Sequence, residues 1–173
     1  MNEMQNFDNA ASKFYKKLGI NTLPLLSWDI SGSHYQKVCG FYNDLADFSA
    51  LAENNKWETT KDIENALMKE GQIVLVTDAD LNIVKASHNI FGMNGYSQEE
   101  VVGLKPNIFQ GPETCTQTKS YISKAIQEKK SFEATLVNYR KDGSPYKCWI
   151  KGEPVFNTRG KVVNFIAYER EVA

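Results

Sequence analysis

Three cysteines, Cys39, Cys115 and Cys148, and two histidines, His34 and His88, are the side chains of this sequence best suited to nucleophilic attack, proton shuttling or soft-metal ligation near neutral pH. Their spacing supports none of these. The cysteines are odd in number and far apart, and no histidine follows one at zinc-ligand spacing, so reduced thiols are expected in place of a disulfide framework or a metal site. Each histidine stands alone and reads as a surface or satisfied core residue, because a catalytic one needs a nucleophile or carboxylate partner. Asp44 with Asp47, and Glu99 with Glu100, read as solvated helix or turn carboxylates and not as acid/base pairs. No catalytic constellation emerges, and the chain is not expected to be an enzyme.

The elements that would position these groups change character along the chain. Ala10, Phe14 and Leu18 fall on one helical stripe ending at Gly19. After Pro24, residues Tyr35, Val38, Phe41, Tyr42, Leu45, Phe48 and Leu51 recur at three- and four-residue steps, predicting a long helix from Ser31 or Ser33 to Asn54-Asn55. A third helix is expected from Thr60 to Lys69, with Ile63, Ala66 and Leu67 on one face and Gly71 as the stop. Trp28 and Trp57 are placed in connections, where they would pin the helices onto a sheet. The aromatic stripes read as core.

Beyond Gly71 the period shortens. Ile73 to Val76 and Ile83 to Ala86 predict a hairpin. Short helices and loops follow, then a better helix in which Tyr121, Ile122, Ala125 and Ile126 share a face. Strands are expected at Phe132 to Tyr139, Tyr146 to Val155 and Lys161 to Glu169, separated by the turn sequences Lys141-Asp142-Gly143-Ser144 and Asn157-Thr158-Arg159-Gly160. The division is a helical extension over 1–70 and a mixed domain over 71–173, in the order ββ, helices, βββ.

Length and composition agree with one domain plus an appendage in 173 residues. Charged residues make up 24%, with a formal net charge of -1 and both signs interspersed, so there is no basic field to hold nucleic acid or anionic lipid. No apolar run reaches membrane-spanning length. A cytoplasmic protein is expected.

Four blocks carry a resemblance. Val76-Thr77-Asp78, the stretch Gly95-Tyr96-Ser97-Gln98-Glu99-Glu100-Val101-Val102-Gly103, Phe109-Gln110-Gly111-Pro112-Glu113-Thr114, and Asn138-Tyr139-Arg140-Lys141-Asp142-Gly143 resemble, in order and spacing, segments of PAS domains of the light-oxygen-voltage (LOV) type. The resemblance covers Gly71 to Glu171. It implies an α+β PAS fold: a five-stranded antiparallel sheet with short helices on one face, here with the N-terminal helical extension.

The resemblance also implies where a flavin would sit. Photoactive LOV domains read G-x-N-C-R-F-L-Q before Gly-Pro, and the cysteine thiol adds to the excited flavin; this chain reads Gly103-Leu104-Lys105-Pro106-Asn107-Ile108-Phe109-Gln110. Pro106 stands at the cysteine position and has neither a thiol nor an N–H, so the adduct chemistry is not expected. Lys105 and Asn107 flank it, and Ser123 takes the position of a second phosphate-holding arginine. The lost arginine forks would each contribute roughly 1.5–3 kcal/mol, with Lys105 or Lys124 a partial substitute. The family positions for flavin contact are then Asn107, Gln110, Asn138, Cys148 and Glu169, of which Cys148 and Glu169 replace an asparagine and a glutamine. No cofactor is expected, and FMN or FAD binding without adduct formation is the alternative.

Strand alternation places Ala134, Leu136, Asn138, Tyr146, Cys148, Ile150, Val163, Phe165, Ala167 and Glu169 on the concave face. Cys148 reads there as a core thiol, and Glu169, near a strand end, as a residue of a type that is often exposed. Val137, Tyr139, Trp149, Ile166 and Tyr168 fall on the convex face, too apolar to leave in water. The N-terminal helices would cover it, within one chain or across a dimer. The expectation is a sensory or regulatory module of the PAS family, a homodimer acting through self-association or a downstream signalling protein.

Overall fold

A computed structural model describes residues 27–58 and 62–173 of the chain. The chain divides into two compact units, Met1–Val38 and Cys39–Ala173, and everything below from Cys39 onward belongs to the second. The helix expected between Asn9 and Gly19 lies outside the described residues.

The elements are α1 (Ser27–Asn54), α2 (Ile63–Met68), β1 (Gln72–Asp78), β2 (Ile83–Ala86), α3 (Ile90–Asn94), α4 (Gln98–Val101), a 3-10 turn (Pro106–Phe109), α5 (Thr116–Gln127), β3 (Phe132–Tyr139), β4 (Pro145–Phe156) and β5 (Val162–Val172). The strands form one antiparallel sheet in the order β2-β1-β5-β4-β3. The α+β architecture expected from the sequence is the one found. α1 starts at Ser27, before the expected serines, because Ser31 and Ser33 are tolerated inside a helix whose intrinsic propensity is only a weak constraint. Trp28 therefore lies within α1 and not in a connection.

β1 explains why the run Ile73 to Val76 is apolar without alternation. Its even and odd residues enter different cores, so the strand is buried on both faces. Ile73 and Leu75 join Ile83, Ile90, Phe109, Tyr146 and Cys148 beneath the short helices; Val74 and Val76 join Val155, Ile166 and Tyr168 on the opposite face. That second face is covered within the chain by Phe48 of α1 and by Ile63 and Ala66 of α2, with Leu51 and Leu67 at the margin. Trp57 anchors the connection: its Nε1 donates to Asn164 Oδ1 at 2.9 Å, and Asn164 Nδ2 donates to the Thr77 carbonyl at 2.9 Å. Trp57→Phe should cost about 1 kcal/mol in chemical denaturation, the net worth of one such bond.

Three side chains depart from the expected faces. Tyr139 turns away from the convex core: its hydroxyl accepts the Glu113 N–H at 3.0 Å, and its ring lies where a Cβ on Gly111 would come within 2.4 Å. The contact demands glycine at position 111. Tyr121 is exposed, and the inner face of α5 is formed by Ile122, Ala125 and Ile126. Asp44 is not solvated but buried at 2% exposure, where its carboxylate accepts from the His88 N–H at 2.7 Å, bonds His88 Nδ1 at 2.7 Å and accepts from Gln98 Nε2 at 3.1 Å. His88 thus has the carboxylate partner that its sequence neighbourhood lacks.

Candidate functional site

The concave face of the sheet, the 3-10 turn and α5 enclose a cavity of ≈ 100 Å³. Its walls are mostly aliphatic and aromatic: Leu75 and Ala167 from the central strands, Leu136 and Ile150 from β3 and β4, Ile122 and Ile126 from α5. Phe132 narrows it. That ring lies over Gly152, where a Cβ would come within 2.2 Å of it, so the glycine makes room for the ring directly beneath. Pro106, Phe109 and Gln110 close the side formed by the 3-10 turn.

Polar groups interrupt this lining at Thr77, Gln110, Asn138 and Glu169. Of the five residues singled out in the sequence, Gln110, Asn138 and Glu169 share the cavity wall. Cys148 lies behind it, fully buried, with Sγ 3.6 Å from Glu169 Oε2. Asn107 is exposed on the 3-10 turn, outside the lining, where its carbonyl accepts the Gln110 N–H at 3.0 Å.

Glu169 owes its burial to the length of β5. The strand runs on to Val172, so Glu169 sits mid-strand, between Ile73 of β1 and Ile150 of β4, at 2% exposure. A carboxylate in that setting has lost its water. Burial pushes the Glu169 carboxyl up to about 7, opposed only by the hydrogen bond from the Cys148 thiol. Burial in turn, followed by the nearby Glu169, pushes the Cys148 thiol far up, so it stays protonated and unreactive. The Tyr146 phenol is raised by burial first and then by Glu169.

Four buried side-chain polar atoms have no hydrogen-bond partner among the described residues, Thr77 Oγ1 and Asn138 Oδ1 on the cavity wall and Asn94 Nδ2 and Tyr146 Oη outside its lining. The amides of Asn138 and Asn94 stand close enough to draw the Tyr146 phenol back down, yet neither is aligned to bond it. Native proteins leave few buried polar atoms unpaired, so the two on the cavity wall mark a place where water or a ligand belongs. Asn94 and Thr77 are not legible as site residues, since Asn94 sits at a helix end before Gly95 and Thr77 looks like an ordinary strand residue, whereas alternation already places Tyr146 on the concave face.

Among the described residues no group of histidine, cysteine or acidic side chains could hold a metal ion, and no helix is long and apolar enough to cross a membrane.

A five-stranded antiparallel sheet that cups a cavity beneath short helices is the architecture of a PAS sensory domain. A family model described as PAS domain matches residues 71–173, and the chain belongs to that family. Its relatives include LOV proteins. It is 37% identical over 117 residues to phototropin-2 of Oryza sativa subsp. japonica, covering 66% of this chain and 13% of that protein. It is 40% identical over 111 residues to Protein TWIN LOV 1 of Arabidopsis thaliana, covering 62% of this chain and 28% of that protein. Among solved structures it is similar to the dark structure of the blue-light photoreceptor Aureochrome1 LOV, with a TM-score of 0.60 and 28% identity over 67% of this chain and 86% of that one. The match thus spans only a small part of each curated relative's length.

Proposed function

We propose that this chain is a signal-transduction module of the PAS family, LOV-like in fold, that does not signal through a flavin–cysteine adduct. Pro106 carries the reading: it lines the cavity on the 3-10 turn where the LOV resemblance requires the thiol. None of the three cysteines lines the cavity: Cys39 lies on α1, Cys115 is exposed, and Cys148 is held behind the wall as a buried, protonated thiol. The Cys148 thiol, which donates to Glu169, stays protonated and does not present a nucleophile to the cavity.

The residues also do not fit a flavin of the kind LOV relatives carry. The cavity, at ≈ 100 Å³, falls well below the roughly 300–1,000 Å³ of pockets that enclose drug-sized ligands. No arginine or lysine lines it to pair a phosphate. Glu169 and Cys148 supply a carboxyl and a weak thiol donor where the family positions carry amides. We infer instead that the cavity serves a smaller ligand, and that its occupancy is reported through the helices packed on the opposite face of the sheet.

Output then passes through a second copy or a downstream partner. Tyr42 of α1 and Met68 of α2, on the two helices that cover the sheet, are 64% and 62% exposed and available for such a contact. Incubating the full chain with FMN or FAD and passing it through gel filtration, with light scattering on the same column, tests both parts. The expected result is a colourless dimer. Stoichiometric retention of flavin would replace this reading with that of a cysteine-less flavoprotein sensor, and a monomer at all concentrations would remove the self-association route.

A further inference from the structure

The polar groups facing the cavity constrain what it can hold. Glu169 is the only acidic or basic residue in the lining, and no cation accompanies it. Asn138, at 5% exposure, presents an unpaired Oδ1, and Thr77, at 4%, an unpaired Oγ1. The Glu169 carboxylate, once ionised, and the unpaired Asn138 Oδ1 are acceptors that face the cavity, and among the described residues only the weak Cys148 thiol donates to Glu169. A ligand edge made only of acceptors would leave both of these oxygens without a partner.

Resting on the reading of this cavity as a ligand site, we propose that it takes a small planar aromatic ligand of the amidine type, one ring bearing paired N–H donors directed at Glu169 and Asn138. An amidine matches a carboxylate with two parallel N–H bonds, the strongest arrangement available to such a pair. Size also restricts the ligand. Engineered apolar cavities of roughly 150 Å³ admit benzene, and at ≈ 100 Å³ behind aliphatic walls this one sets a single ring as the upper limit. The ligand would neutralise the buried carboxylate while its ring fills the apolar remainder.

The test uses the full chain with three probes, benzamidine, benzoate of matching shape, and the bare ring benzene, followed by thermal shift and by NMR shifts of the cavity residues. Benzamidine should stabilise the protein and perturb Asn138, Leu136 and Ile150, while benzoate should not bind. Its affinity should rise about tenfold from pH 6 to pH 8, because the Glu169 carboxyl ionises across that range. Glu169→Gln, which keeps the side-chain shape, should weaken benzamidine at least about tenfold and abolish the pH dependence, since 1.4 kcal/mol of differential binding already amounts to that factor. If benzene or benzoate binds as well as benzamidine, the cavity is a ligand site but the donor requirement is wrong. If none of the three perturbs cavity residues, the ligand-site reading fails together with the inference.

Discussion

Glu169→Gln should unfold with a pH dependence that lacks one large component of the wild-type profile. The wild-type carboxyl moves from 4.5 in the unfolded chain to about 7 in the fold. Between those values the folded protein holds a proton that the unfolded chain has released, so stability falls as pH rises through the window and levels off above it. The cost amounts to about 3 kcal/mol. The glutamine variant pays no such cost, while its side-chain oxygen can still accept from the Cys148 thiol. Relative to the variant, wild type should therefore lose about 3 kcal/mol from about pH 5 to about pH 8. For a chain of this size that corresponds to roughly 6–12 °C in Tm. Parallel profiles for the two proteins would show that Glu169 is not the buried, water-stripped carboxyl described here.

A loss of about 2–4 kcal/mol is expected for Asp44→Ala, with the effect concentrated in α1. The carboxylate takes two bonds from His88 and one from Gln98, whose Nε2 also donates to the Ala86 carbonyl at 2.6 Å. Truncation strands these donors, and bonds to a charged acceptor are individually worth about 1.5–3 kcal/mol. Gly40, one helical turn earlier, leaves the space that the His88 ring fills, for a Cβ there would come within 2.6 Å of it. Lys85 and Asp47 add an ion pair beside the same contact. The three interactions seat α1 against the sequence that follows β2. Urea denaturation measures the total loss, and hydrogen exchange should show α1 amides from Cys39 onward losing protection before those of β1 and β5. Uniform loss across the sheet would mean that Asp44 supports the whole fold and not the seating of α1.

The strands were legible because their ends carry turn chemistry. Gly143 and Gly160 adopt positive φ at the β3-β4 and β4-β5 hairpins, and β2 and β3 lie where alternation and punctuation place them. Burial across long sequence separations was not legible. Nothing near Asp44 announces a partner 44 residues away, and the one local hint is Gly40, a glycine inside a helical stripe, which marks a close approach without naming what approaches. The burial of Glu169 escapes the sequence for a related reason. Ending β5 at that residue makes it a strand terminus, whereas pairing of Lys147 with Val172 carries the strand three residues further and encloses the carboxyl. The apolar convex positions call for a cover, and the packing of Phe48 and Ile63 shows that the same chain supplies it.

Irradiating the full chain with blue light in the presence of excess FMN, and recording the light-minus-dark absorption spectrum, tests the central claim most directly. The account predicts no light-dependent bleaching of a protein-bound flavin band, because Pro106 has no thiol to add and the Cys148 thiol stays protonated. Reversible bleaching of a bound flavin, lost on substitution of Cys148, would contradict it.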